Sequence, residues 1–246
     1  MIRIFLLLLV LSTIQCSTPT KEKAEDWIAK ANLAHGTKRL ENNGFRFRFR
    51  KHIYGYQKNK NELLYSRTLY QDQGDTITDT LKNHREFQRW VNRTPIQLND
   101  SISHVFSESI NSVLYFVQIP KVLNDPAVKS TLLGETVIDK ETYISLKVTF
   151  SQAQGGADYQ DEYRYWINKK THLIDYLAYR FYTDQGGTRF RKAFNRRTIN
   201  GLVFQDYYNF KPQEKFSPLD RLPQLLEHEK LIQVSVIETK DVVFLE

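Results

Sequence analysis

TRFRKAFNRRTINGLVFQDYYNF, residues 188–210, decides the fold. Asn200-Gly201 parts two runs rich in aromatic and β-branched residues. Asn-Gly between such runs is the strongest short-range signal for a two-residue hairpin, because both turn positions need a positive φ. The same texture continues outward from this hairpin. Strands are expected over 142–151, 159–168, 172–183, 188–199 and 202–210, joined by Gln154-Gly155-Gly156, by residues 168–171 and by Asp184-Gln185-Gly186-Gly187. That pattern is an antiparallel meander. Farther upstream, Phe45-Arg46-Phe47-Arg48-Phe49-Arg50 alternates without a fault, which places the rings on one face and the guanidinium groups on the other. The alternation slips at Lys51 and His52, which predicts a bulge or bend. More strands are expected over 62–70, 75–81 and 85–91, with Pro95 closing the stretch.

Between these groups of strands the period changes. Ile102, Phe106, Ile110, Val113 and Val117 recur at helical spacing with Asp100 or Ser101 as N-cap, so 101–118 is expected to form one well-buried helix that ends before Pro120. A helix over 21–40 is weakened in its last turn by Gly36, and 218–229 reads as a third helix. Residues 123–133, with Pro126, read as a short helical or irregular segment, and 231–245 as a closing strand. The total is about ten strands in an α+β fold, an antiparallel sheet with a central helix. No βαβ rhythm is present, which disfavours a parallel-sheet enzyme barrel.

Composition narrows the class. The 246 residues are 41% hydrophobic and 13% aromatic, with one Cys and ten Gly, which excludes a disordered, collagen-like or disulfide-stapled chain. The first 16 residues read as a secretion signal, with Arg3, an apolar run over 4–11, and Ser12-Thr13-Ile14-Gln15 before Cys16. The run is too short to cross a bilayer, which takes about 20 residues. Cys16 stands where a bacterial lipoprotein signal places its lipidated residue, so a lipid-anchored periplasmic chain is expected, with a tether over 17–21 and a single domain over 22–246. The net charge of +7 is scattered along the strands, and export argues against nucleic acid as a partner.

Asp161-Glu162-Tyr163-Arg164-Tyr165-Trp166-Ile167-Asn168-Lys169-Lys170-Thr171-His172-Leu173-Ile174 resembles the Trp-Ile-Asp-turn-Thr hairpin of bacterial lipoprotein carriers of the LolA and LppX type, with Asn168 where Asp is usual. Over 100–211 the chain also resembles an uncharacterised family of bacterial lipoproteins, a domain of unknown function. That likeness runs from Asn111-Ser112-Val113-Leu114-Tyr115-Phe116, through Leu123-Asn124-Asp125-Pro126-Ala127-Val128 and Gly155-Gly156, to Gly187-Thr188-Arg189-Phe190-Arg191 and Phe204-Gln205-Asp206-Tyr207. The carrier resemblance implies a strongly curved sheet, a half-barrel wrapped around a helix. It also implies an apolar cavity and carriage of a lipid or a lipidated protein.

Two sets of residues are candidates for a site. If Thr183 faces Thr188, Asp175 lies opposite Arg196 and Leu177 opposite Phe194; the Asn200-Gly201 turn places Asn195 opposite Asp206, with Arg197 diagonal to it. This polar cluster either recognises an anionic headgroup or is a set of structural ion pairs. Phe45, Phe47, Phe49, Tyr163, Tyr165, Tyr176, Tyr179, Phe194 and Phe204 either line an apolar cavity or fill the core of a curved sheet. His35, His52, His84, His104, His172 and His228 make no metal-binding pair, no nucleophile elbow is present, and no cofactor is implied. The expected role is binding of a lipid or acylated ligand by a monomer that reaches the membrane through its N-terminal lipid. The alternatives are a non-enzymatic protein interaction module and a hydrolase with an unrecognised site.

Overall fold

The structure, a computed structural model, describes residues 22–245 apart from 73, 152–158 and 184. The expected leader, Cys16, the tether and the Gly155-Gly156 turn lie outside the described residues. Two antiparallel sheets of seven strands each carry the fold. Sheet A begins with β1 (Gly44–Phe49), β2 (His52–Lys58), β3 (Leu63–Tyr70), β4 (Thr76–Lys82), β5 (Glu86–Val91) and β6 (Thr94–Ile96). Sheet B takes β7 (Val128–Ile138), β8 (Glu141–Phe150), β9 (Glu162–Asn168), β10 (Ile174–Phe181), β11 (Gly187–Ile199), β12 (Leu202–Pro212) and β13 (Leu231–Ile237). The last strand, β14 (Lys240–Leu245), returns to sheet A beside β1. The chain therefore passes from one sheet to the other through Glu238 and Thr239, and the single closing strand expected over 231–245 is two strands.

Fourteen strands replace the expected ten, and the extra ones have physical causes. Arg50 takes φ 54 and the chain turns at once into β2, so the slip in alternation at Lys51 is a hairpin and not a bulge. Asn92-Arg93 and Asp139-Lys140 both take positive φ at both positions, as Asn200-Gly201 does, and close two-residue hairpins without a glycine. Pro95 is tolerated inside β6 because that strand is an edge. The segment 123–133 is corrected as well: one turn of 3-10 helix (Lys121–Asn124) leads into β7, whose residues alternate between half-buried and exposed.

The first and third helices are shorter than expected, and the central one keeps its expected length. α1 (Ala24–His35) ends at Gly36, whose amide donates to Asn32 O and Leu33 O at φ 70, and a 3-10 turn (Thr37–Leu40) follows. A Cβ on Gly36 would lie 1.8 Å from Gly201 O, so the helix end and the Asn200-Gly201 turn meet backbone to backbone. α2 (Asp100–Val117) starts at Asn99, whose side chain accepts from Ile102 N at 2.9 Å. It is not buried along its length: Ile110 and Leu114 are, while Ile102 is 43% and Val105 64% exposed. α3 (Leu222–Glu227) follows a 3-10 turn (Leu219–Arg221).

Three apolar clusters hold these layers. Phe45, Phe47, Tyr56, Tyr65 and Leu81 of sheet A pack under Ile110 and Leu114 of α2, joined by Leu202 and Phe204 from the tip of the β11–β12 hairpin. One face of sheet B packs Leu146, Tyr165, Ile167 and Leu177 under Trp27, Ile28 and Ala31 of α1. Its other face packs Trp166, Tyr176 and Phe190 under Leu219 and Leu222. Each fully buried large side chain stabilises by about 1.5–3 kcal/mol.

His35 ties α1 to sheet B by accepting from Ile174 N at 3.1 Å, and burial depresses its imidazole from 6.5 to about 3. The folded value lies below the unfolded one. The stabilisation is therefore complete above pH 6.5 and is lost as pH falls towards about 3, by up to ~1.4 kcal/mol per pH unit. Denaturant midpoints should fall across this window, and His35→Gln, which keeps an acceptor, should fall less steeply. Equal slopes would rule out His35 as the titrating group.

Candidate functional site

The polar residues singled out from sequence do meet, in two closed groups. Asp206 is 2% exposed and sits where the chain changes sheets. Its carboxylate accepts from Asn195 Nδ2 at 2.7 Å, Arg197 Nη1 at 3.1 Å, Thr239 N at 2.9 Å and Thr239 Oγ1 at 3.1 Å. Arg197 Nη2 also donates to Thr239 O and Oγ1. The tip register is as expected, Ile199 opposite Leu202, but a shift between Phe194 and Arg197 puts Phe194 opposite Asp206. Asp175 accepts from Arg196 Nη2 at 2.6 Å and from Tyr143 OH at 3.1 Å, while Arg196 Nε donates to Gln205 Oε1 at 3.0 Å. A carboxylate with four protein donors has little capacity left for a ligand, so the Asp206 group works as a lock on the corner at Thr239.

The nine aromatic residues do not share one chamber. Phe45, Phe47, Phe49 and Phe204 belong to the sheet A cluster, Tyr163, Tyr165 and Tyr179 to the face of sheet B under α1, and Tyr176 to the opposite face. Phe194 is half-buried and stacks on Tyr208 at 4.1 Å. The division follows from strand alternation, since Tyr176 and Leu177 must point to opposite sides of β10. The space between Phe116, Val117, Ile119, Val203, Phe204 and Tyr207 is only about 10 Å³. A cleft of about 450 Å³ is lined by Gly36, Lys38, Arg39, Glu41, Asn42, Asn43 and Gly201.

The arrangement that sequence reasoning missed lies on the α1-facing side of sheet B. Tyr163 stacks on Tyr179 at 5.4 Å, Phe116 of α2 meets Tyr179 at 5.3 Å, and Phe150, Tyr115 and Phe181 complete a half-buried aromatic rim. Two arginines of β11 lie across these rings. Arg189 Cζ is 5.1 Å from the Phe181 ring; Arg191 Cζ is 3.8 Å from that of Phe116 and 5.2 Å from that of Tyr179. Arg191 is 8% exposed, and its Nη2 donates to Tyr179 OH at 3.0 Å. Its Nε and the Oδ1 of Asn209, its neighbour across the strands, are buried and have no hydrogen-bond partner among the described residues.

Arg67, Arg89, Arg164, Arg196 and Arg197 each hold a carboxylate, whereas among the described residues Arg191 has none within ion-pair distance. Burial pushes Tyr115 up to about 12 and Tyr165 well above its ordinary value, so the nearby hydroxyls stay neutral and do not balance the charge. Cation–π contact over two rings offsets part of the cost of burying the guanidinium. Among the described residues no group of three or more His, Cys, Asp or Glu gathers to hold a metal ion, and no helix is long and apolar enough to cross a membrane.

This two-sheet β protein, with a buried cation on an aromatic face, has known relatives in sequence. It belongs to a family of unknown function, DUF6503, whose model matches residues 7–239. No curated protein matches the chain in sequence. In structure it is similar to a LolA superfamily protein from Nitrosomonas europaea, with TM-score 0.48 and 14% identity over 90% of this chain and 93% of that one. It is also similar to the lipoprotein LppX of Mycobacterium tuberculosis, with TM-score 0.29 and 12% identity over 65% and 90% of the two chains. A chain of the Pseudomonas aeruginosa MucA/MucB complex gives TM-score 0.26 and 12% identity over 79% and 82%. Likeness at this level fixes neither a ligand nor a partner.

Proposed function

We propose that the protein is a non-enzymatic envelope protein, exported and anchored through lipid on Cys16, that binds an acylated anion on the aromatic face of sheet B. The two sheets then act as one strongly curved half-barrel bent at Thr239, with this face on its concave side. The acid head lies against Arg191, and the acyl chain runs along the half-buried rings of Tyr179, Phe181, Tyr115 and Phe150. One observation supports this above the others: a guanidinium 8% exposed, with an idle Nε and no carboxylate beside it among the described residues. Buried charges are ordinarily paired, and a ligand carboxylate or phosphate supplies the missing partner in a geometry that Arg holds well. The rings offer apolar surface to the chain, at about 0.8 kcal/mol for each methylene buried.

Fluorescence titration with a dansyl-labelled fatty acid and with its methyl ester tests the reading. The acid should bind at least tenfold more tightly than the ester, a difference of about 1.4 kcal/mol. Equal affinities, or no uptake of the acid, would overturn it.

A further inference from the structure

Arg191 and Asn209 stand directly opposite each other on β11 and β12, and both are buried, at 8% and 9% exposed. Each side chain has one end occupied by a neighbour. Arg191 Nη2 donates to Tyr179 OH at 3.0 Å, towards β10, and Asn209 Nδ2 donates to Ser235 Oγ at 3.0 Å, towards β13. The other ends, Arg191 Nε and Asn209 Oδ1, have no hydrogen-bond partner among the described residues. Directly opposite side chains on one face of an antiparallel pair lie about 5 Å apart at Cβ, so a single small group can touch both atoms. Their needs are complementary: Nε has a hydrogen to give, and Oδ1 has lone pairs to fill. A carboxylate or phosphate alone serves Nε and leaves Oδ1 facing an anion, with a buried acceptor still unmatched.

We propose that this face selects an acylated anion with a hydroxyl next to its acid group, the hydroxyl lying between Arg191 Nε and Asn209 Oδ1. The inference rests on the reading of the aromatic face of sheet B as the site for an acylated anion, and it names the head that the site takes. The acid group sits on the guanidinium, and the hydroxyl beside it accepts from Nε and donates to Oδ1. One group then meets both needs. An amide N–H donates but cannot accept from Nε, and an ammonium would set a second cation against a buried guanidinium that already lacks a carboxylate among the described residues. The cross-strand row Leu177, Arg191, Asn209, Ser235 fixes the direction of the ligand, being apolar on the β10 side and polar on the β12 and β13 side. The hydroxylated head lies towards β12, and the acyl chain leaves past Tyr179 and Phe181. Two kinds of lipid carry such a head, a β-hydroxy fatty acid and a phosphoglycerol lipid.

Displacement of the dansyl-labelled fatty acid tests it with two pairs of competitors. Myristic acid is set beside β-hydroxymyristic acid, and dimyristoyl phosphatidylmethanol beside dimyristoyl phosphatidylglycerol, so that within each pair the acyl chains are the same and the head hydroxyl differs. The parent chain should bind the hydroxylated member of one pair about tenfold more tightly, and the pair that shows the preference tells the hydroxy acid from the phosphoglycerol. Asn209→Leu should abolish the preference while still binding the member without the hydroxyl, which also shows that the variant is folded. Asn209→Asp changes shape little but places a carboxylate against Arg191, so it should weaken every competitor at least tenfold. Equal displacement within both pairs, as a water bridging the two atoms would give, would overturn the inference and leave the binding face standing. A preference that survives Asn209→Leu, or affinities that Asn209→Asp leaves unchanged, would overturn it in the same way. No displacement by any of the four lipids would overturn both readings.

Discussion

Asp206→Ala is expected to lower the unfolding free energy by about 3–5 kcal/mol, because it leaves a guanidinium and a backbone amide stranded at the point where the chain changes sheets. Asp206 is the common acceptor for Asn195, Arg197 and Thr239, and Thr239 is the residue between β13 and β14 that directs one strand to sheet B and the next to sheet A. Without the carboxylate, the Thr239 amide has no acceptor in a buried corner, and Arg197 keeps only its contacts to Thr239 and to Asn195 O. Asp206→Asn, which retains an acceptor oxygen, should lose less. Asp241→Ala, which breaks only the exposed pair with Arg48, should change stability by less than ~1 kcal/mol. Urea midpoints for the three variants check this order; similar losses at 206 and 241 would show that the corner is held by packing alone.

Arg191→Met is expected to raise stability by about 1 kcal/mol or more, since it replaces a buried, unpaired charge with an apolar side chain of similar length between two rings. The lost hydrogen bond to Tyr179 OH and the contact over Phe116 subtract from this gain without reversing it. The same substitution should weaken binding of the dansyl fatty acid by about 10- to 150-fold, the worth of a charge-assisted hydrogen bond of 1.5–3 kcal/mol. A residue whose removal stabilises the fold and abolishes binding is one kept for function. Loss of stability with unchanged affinity would instead make Arg191 a structural group. Thermal melts and fluorescence titration on the same preparation separate the two outcomes.

These two arginine environments also explain what the sequence disclosed. The Asn200-Gly201 turn fixes its own register, which brings Asp206, Asn195 and Arg197 together, and the Phe45 to Arg50 alternation marks a strand without reference to its partners. Boundaries set by Asp139-Lys140 and Asn92-Arg93 were harder, because positive φ at Asp, Asn, Lys and Arg leaves no glycine as a marker. The place of Arg191 depends on the β10–β11 register. The β10–β11 hairpin closes at Phe181 and Gly187, which puts Leu177 opposite Arg191 and not opposite Phe194. That difference of three residues is odd, and an odd slip sends every side chain to the other face. Under the expected pairing Phe194 shares a face with Leu177 and Arg191 points away; in the structure Arg191 lies among the rings. Asp175 still met Arg196 because long side chains at an irregular strand pairing reach beyond their direct neighbours. The tyrosines and phenylalanines were legible as apolar mass, but their division among three clusters depends on pairings that no single stretch of sequence encodes.

Native mass spectrometry of the protein purified from a bacterial envelope without detergent, beside its Arg191→Met variant from the same cells, tests the binding claim most directly. The account predicts a lipid-sized acidic adduct on the parent chain, lost on unfolding and missing from the variant. A parent chain that flies without an adduct, or an adduct that the variant carries equally, would contradict it.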